Sequence, residues 1–123
     1  MLPAPARLRR SEDFRAVVHH GVRVGRPTLV VHADLAEPAV PGGDRVSAQV
    51  GFIVSKKIGN AVARNRVKRR LRHLAAAQLE AGVRTDLRVV VRVLPAVAAQ
   101  PGRLAEDFAS AWCRGIERLE ART

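Results

Sequence analysis

The sequence predicts a single α+β domain, and three observations carry that prediction. Residues 28–35, 45–55 and 86–94 alternate apolar with other side chains, the two-residue period of strands. Apolar residues at three- and four-residue spacing mark a short helix near the start and long helices over 60–81 and 103–121. No repeat or linker divides the 123 residues, so every element shares one core. The order α-β-β-α-β-α describes a sandwich built on a small sheet.

Residues 1–10 carry two prolines and three arginines and read as a mobile basic arm ahead of a domain spanning 11–121. Ser11 is placed to cap the first helix. Glu12 and Asp13 follow in the first turn, where the helix dipole favours negative charge. Phe14, Val17 and Val18 form its apolar side and Gly21 its stop. The Pro/Gly-rich segment 36–44 is expected to join the first two strands as a wide hairpin. Gly82 stands where a left-handed cap ends the long helix, and Pro95 ends the third strand. The last helix gathers Leu104, Phe108, Ala111, Trp112 and Leu119 near one side. Cys113 on that helix reads as a small buried hydrophobe.

Strand alternation separates two sheet faces. Leu29, Val31, Ala33 and Leu35 share a face with the apolar residues of the other strands, to be covered by the two long helices. The opposite face mixes Thr28, His32, Ser47, Gln49, Ser55, Arg88 and Arg92. It suits an extended nucleic-acid strand, or is simply a partly solvated antiparallel sheet.

Charge narrows the function. The formal net charge is +11, from 22 basic and 11 acidic residues. After Asp44 no carboxylate appears until Glu80, and eight of the eighteen residues from Ser55 to Arg72 are cationic. Such charge repels itself and costs folding free energy unless a polyanion neutralises it. On a helical wheel Ala63, Leu71 and Leu74 lie within about 40° of Val67 and make a buried stripe. Asn65, Arg66, Lys68, Arg69, Arg72 and His73 occupy the opposite arc, while Arg64 and Arg70 flank the stripe and snorkel outward. No acid is present for i,i+4 pairing, which favours the phosphates of a folded RNA over a merely solvated face. Gly59 and Asn60, with Lys56 and Lys57, make either a phosphate-binding turn or an ordinary strand-to-helix turn.

Other classes fit less well. No apolar run reaches the ~18–20 residues of a membrane span, and the start lacks the apolar stretch of an export signal. A single cysteine excludes a disulfide framework and all-protein Cys-type zinc sites, and the expected compartment is the cytoplasm. Of the 22 basic residues 19 are arginine, a bias that a GC-rich genome explains as well as selection for guanidinium. Aromatics are limited to Phe14, Phe52, Phe108 and Trp112, so few rings are available to stack bases.

The segment Lys56-Lys57-Ile58-Gly59-Asn60-Ala61-Val62-Ala63-Arg64-Asn65-Arg66-Val67-Lys68-Arg69 resembles the signature of the bacterial ribonuclease P protein subunit, with its Arg-Asn-Arg helix at Arg64-Asn65-Arg66. The likeness extends to Arg7-Leu8-Arg9-Arg10-Ser11-Glu12-Asp13-Phe14, His20-Gly21, the strand from Val50 to Lys56 and the strand beginning at Asp86. It implies a fold like the second domain of ribosomal protein S5, with a left-handed β-α-β crossover where chirality rules alone give a right-handed one. It also implies a catalytic RNA subunit that uses Mg2+ to remove the 5′ leader of precursor tRNA. The protein is then expected to hold no firmly bound cofactor and to join that RNA as a monomer in a 1:1 complex. Carried over, Lys56, Lys57, Asn60, Arg64, Asn65, Arg66, Lys68, Arg69 and Arg72 face the catalytic RNA. Phe14, Val18, His32, Ser55 and Arg92 surround a leader cleft between the first helix and the mixed sheet face. Positions matching Val18 and His32 are often aromatic in the family, so stacking here falls to Phe14 and His32, and Phe14 can equally be core.

Two other readings compete. A basic ribosomal or nucleoid-type structural protein fits charge and size equally, and only the Lys56–Arg69 motif separates them. A stand-alone nuclease would draw on His19, His20, His32 and His73 with Glu12, Asp13 or Asp86. Its acids are scattered where two-metal chemistry needs them clustered, and the adjacent His19 and His20 point differently on a helix.

Overall fold

The computed structural model describes residues 2–36 and 48–122. Helix α1 (Ser11–His20) leads into strands β1 (Val22–Gly25), β2 (Leu29–Leu35) and β3 (Gln49–Ile53). Helix α2 (Ala61–Glu80), strand β4 (Leu87–Val93) and helix α3 (Leu104–Arg122) complete the order. The predicted loop 36–44 and the first residues of the predicted second strand lie largely outside the described residues.

The sheet order is β1-β2-β4-β3, antiparallel except for the parallel β3–β4 pair, which α2 connects. This corrects the expected hairpin, because β4 stands between β2 and β3. The reason is visible in β4 itself. Leu87, Val89, Val91 and Val93 are buried on one face and Val90 on the other. A strand apolar on both sides belongs in the middle of a sheet.

Strand β1 was not expected. Gly21 ends α1 in extended backbone, with φ −78°. A Cβ at Gly21 would lie 2.5 Å from the carbonyl oxygens of both Ala33 and Val17. Glycine therefore lets the chain turn tightly against β2 and pair with it at once. Ser11 is the first residue of α1 and Arg10 occupies the cap position without a side-chain cap bond. Asp13 instead meets Arg88 of β4 at 3.3 Å.

On the apolar face α3 covers β1 and β2, while α2 packs against β3 and α3. Leu29, Val31, Val89, Val91, Leu71, Leu104, Phe108 and Trp112 join in this main core. Each fully buried Leu or Phe contributes about 1.5–3 kcal/mol of transfer free energy. Asp107, 2% exposed, fastens the start of α3 to β2 by accepting the Thr28 N–H at 3.0 Å and hydroxyl at 2.7 Å. Cys113 is exposed, not buried as expected; on the wheel it follows Trp112 onto the outer side.

The mixed face is also covered. Helix α1 lies across β2 and β4, and Leu8, Val17 and Val90 form a second small core with Phe14, Val18 and Ile53 packed around it. Residues 2–10 are no free arm. Leu2, Ala6 and Leu8 are buried, Arg7 bridges to Val50, and the Leu8 N–H donates to the Val50 carbonyl at 3.0 Å. Three apolar side chains hidden among the prolines and arginines account for that docking.

Candidate nucleic-acid interface

The basic helix starts with a cap. Asn60 Oδ1 accepts the Ala63 N–H at 2.9 Å, and the preceding 3-10 turn Lys56–Ile58 leaves both lysines exposed. Gly59 has φ +152°, a conformation L side chains rarely adopt, and its N–H donates to the Lys56 carbonyl at 3.3 Å. Asn60 and Gly59 thus serve the turn directly, and of the N–H groups expected to meet a phosphate that of Gly59 is already paired. Ser55, just before, is exposed.

Along α2, Leu71 and Ala75 are buried while Val67 and Leu74 pack at the margin of the main core. The inward direction therefore lies nearer Leu71 than Val67. That rotation divides the cations into two tracts. Asn65, Arg66 and Arg69 stand fully outward beside Val62, the exposed large hydrophobic at 65% among the described residues. Lys68 and Arg72 are half-buried and line a cleft with residues of β3, Arg72 also standing with Val62, Asn65, Arg66 and Arg69 between the two tracts. Arg64 is also half-buried, with Nε sealed from solvent and without a hydrogen-bond partner. Arg70 is drawn toward α3 by a 2.9 Å bond to the Pro101 carbonyl.

Among the described residues the ion pairs are Arg84–Asp86, Arg88–Asp13, Arg103–Asp107, Arg114–Glu117 and Arg122–Asp34. None includes Lys56, Lys57 or a cation of α2. Among the described residues the ridge has no carboxylate partner, which suits an anion-binding surface.

Beside the ridge runs a cleft of about 280 Å³ along the β3 edge. Phe14, Leu8, Gly51 and Phe52 line it together with Lys68, Arg72, Arg7 and Arg9. Phe14 is half-buried: it packs into the second core and also faces this cleft. The ring is therefore part of that core without being closed off from the cleft. Gly51, Leu8, Arg7 and Arg9 were not foreseen as lining residues. The available signal was a glycine inside a strand pattern, which often marks close approach by another group.

Val18 and Ile53 pack on the same small core as Phe14, and Arg92 sits opposite Ile53 in the β3–β4 register. His32 leaves the expected stacking set. It is 3% exposed on β2, between Arg23 of β1 and Val90 of β4, with neither ring nitrogen hydrogen-bonded. Burial, then the positive charges of Arg92 and Arg23, push its pKa below the ordinary 6.5. Buried this far, the imidazole presents no face to a nucleobase.

A larger apolar recess, about 510 Å³ and lined by Leu35, Val83, Leu87, Ile116 and Leu119, contains none of these residues. Among the described residues no group of three or more His, Cys, Asp or Glu could hold a metal ion. No helix among them is long and apolar enough to cross a membrane.

The family model described as Ribonuclease P matches residues 2–115. The chain belongs to the Ribonuclease P family. It is 48% identical over 114 residues to the ribonuclease P protein component of Streptomyces bikiniensis, covering 90% of this chain and 92% of the relative. It is 41% identical over 124 residues to that of Mycobacterium avium, covering 100% and 98%. The fold is shared with the Staphylococcus aureus RNase P protein, with a TM-score of 0.68 at 22% identity over 93% of this chain and 96% of the other. The Thermotoga maritima RNase P protein aligns with a TM-score of 0.67 at 20% identity, covering 85% and 92%. Family membership decides against the ribosomal and nucleoid reading, which charge and size alone had left standing.

Proposed function

We propose that this chain is the RNA-binding subunit of a ribonuclease P ribonucleoprotein and grips the 5′ leader of precursor tRNA while the RNA subunit cleaves. The observation that carries this reading is a cationic ridge, without an ion pair among the described residues, beside a cleft that Phe14 and Phe52 line. Asn65, Arg66 and Arg69, with Lys56 and Lys57, meet phosphates of the catalytic RNA. Counterion release at each contact supplies binding free energy. The leader enters the cleft, where Phe14 offers its exposed side to a base and Lys68 and Arg72 neutralise the backbone. Val18, Ser55 and Arg92, outside the cleft lining, are assigned to the further path of the leader.

The chemistry belongs to the RNA subunit, whose Mg2+ supplies an activated water and stabilises charge on the leaving oxygen. The protein's own share is orientation and charge neutralisation, and alone it does not cleave. It joins the RNA as a monomer, one to one, in the cytoplasm where precursor tRNA is made. The test is reconstitution with the partner RNA at low Mg2+, varying leader length. Stimulation that grows with a leader of several nucleotides supports the reading. No stimulation, or cleavage by RNA-free protein, rejects it.

A further inference from the structure

The edge strand β3 carries Gly51 at the floor of the cleft, and its backbone does not need glycine: its φ is not positive. What it needs is space. A Cβ built there would overlap Phe14 Cζ, and would lie 2.6 Å from Phe14 Cε1 and 3.1 Å from the Leu8 Cβ. Real Cβ atoms essentially never approach other heavy atoms closer than 3.0 Å, so something must shift. Leu8 is held by its N–H bond to the Val50 carbonyl and is buried, so it cannot retreat. Phe14 is half-buried and lines the cleft, so its ring is the group that can yield.

We propose that Gly51 is a positioning residue for substrate: its missing side chain is the seat that sets how far the Phe14 ring projects into the cleft. This rests on the leader-binding reading above and deepens it. With the seat in place, the ring leaves room for an extended nucleotide strand between itself and Lys68 and Arg72. With an added methyl, the displaced ring occupies that room. Specificity for a leader thus depends on a residue that makes no contact of its own with the leader's bases.

The experiment compares holoenzymes carrying wild-type protein, Gly51→Ala, Phe14→Leu and the double variant, each with leaderless substrate and with precursor tRNA bearing a leader of several nucleotides. Gly51→Ala is expected to raise KM for leadered substrate several-fold, leaving kcat and the leaderless KM unchanged. In the Phe14→Leu background the same alanine is expected to add nothing, because the smaller side chain clears the seat. If Gly51→Ala alone fails to fold and the double variant folds, the steric coupling stands. If both fail to fold, or if the alanine acts equally in both backgrounds or on both substrates, Gly51 does not act through Phe14 and the proposal falls. Failure of Phe14→Leu itself to distinguish the substrates would instead overturn the leader-binding reading.

Discussion

Helices α2 and α3 are nearly equal in length, 20 and 19 residues, and both are rich in arginine, yet they dispose of charge in opposite ways. Around α3 the guanidinium groups are spent internally. Arg103 pairs with Asp107, Arg114 with Glu117 and Arg122 with Asp34, and Arg118 donates to the Arg23 carbonyl at 2.6 Å. On α2 no ion pair forms among the described residues, and Arg70 alone is tied to a neighbouring carbonyl. The same residue type therefore does two jobs. The paired arginines tie elements of the scaffold together, and those of α2 without a described ion-pair partner are the ones we propose for a polyanion. Local acid supply decides which job each one takes.

The largest expected effect is on the scaffold side. Burial raises the Asp107 pKa, but the Thr28 hydroxyl and N–H and the Arg103 guanidinium outweigh it and hold the carboxyl below its ordinary value. Asp107→Ala strands both Thr28 donors and should cost about 3 kcal/mol of stability in denaturant unfolding. RNA affinity of the folded fraction should not change. A drop in that affinity would blur the division between the two helices.

Next comes the ridge. Arg66→Ala with Arg69→Ala should weaken binding to the RNA subunit about ten- to a hundred-fold, while stability stays within about 0.5 kcal/mol, as for surface substitutions generally. Filter binding and thermal unfolding together check both halves of that statement. Phe14→Ala should weaken binding of leadered precursor by about 1 kcal/mol, the low end for base–aromatic stacking, because part of the ring is already committed to packing. An equal effect on leaderless substrate would make Phe14 purely structural.

His32 sharpens the contrast from beneath the sheet. Its folded pKa lies below 6.5, so the unfolded state takes up its proton first as pH falls. The stability it contributes is complete above pH 6.5 and is lost as pH drops through the folded value. His32→Leu should flatten the stability–pH profile on the acid side of 6.5; an unchanged profile would place the acid sensitivity elsewhere. The smallest effect is expected at Arg114→Ala. That exposed pair with Glu117 should be worth about 0.5 kcal/mol or less, with RNA affinity unaltered.

Much of this was legible in the chain. The 3.6-residue pattern located both long helices to within about two residues, the usual uncertainty of helix ends, and the acid-free window located the ridge. What escaped depended on through-space approach. Strand β1 is four residues long and begins just after a glycine that looks like a helix stop. The hairpin assumption failed because adjacency in sequence outweighed the two-sided apolarity of β4. The opening residues looked free because their prolines and arginines hide three buried apolar side chains. His32 looked available because alternation assigns a face without saying what covers it. Arg72 does stand with Arg66 and Arg69 as the wheel has it, but it also lines the cleft with the half-buried Lys68, because packing buries Leu71 and Ala75 rather than Val67.

The central claim is that α2 cations meet phosphate and α3 cations do not. It is tested most directly by the salt dependence of RNA-subunit affinity for wild-type protein, Arg66→Ala with Arg69→Ala, and Arg114→Ala with Arg118→Ala. The account predicts that the α2 pair lowers the log–log slope by roughly 1.4–1.8, at about 0.7–0.9 per lost contact, and that the α3 pair leaves it unchanged. Equal slopes for all three proteins, or a loss confined to the α3 pair, would contradict it.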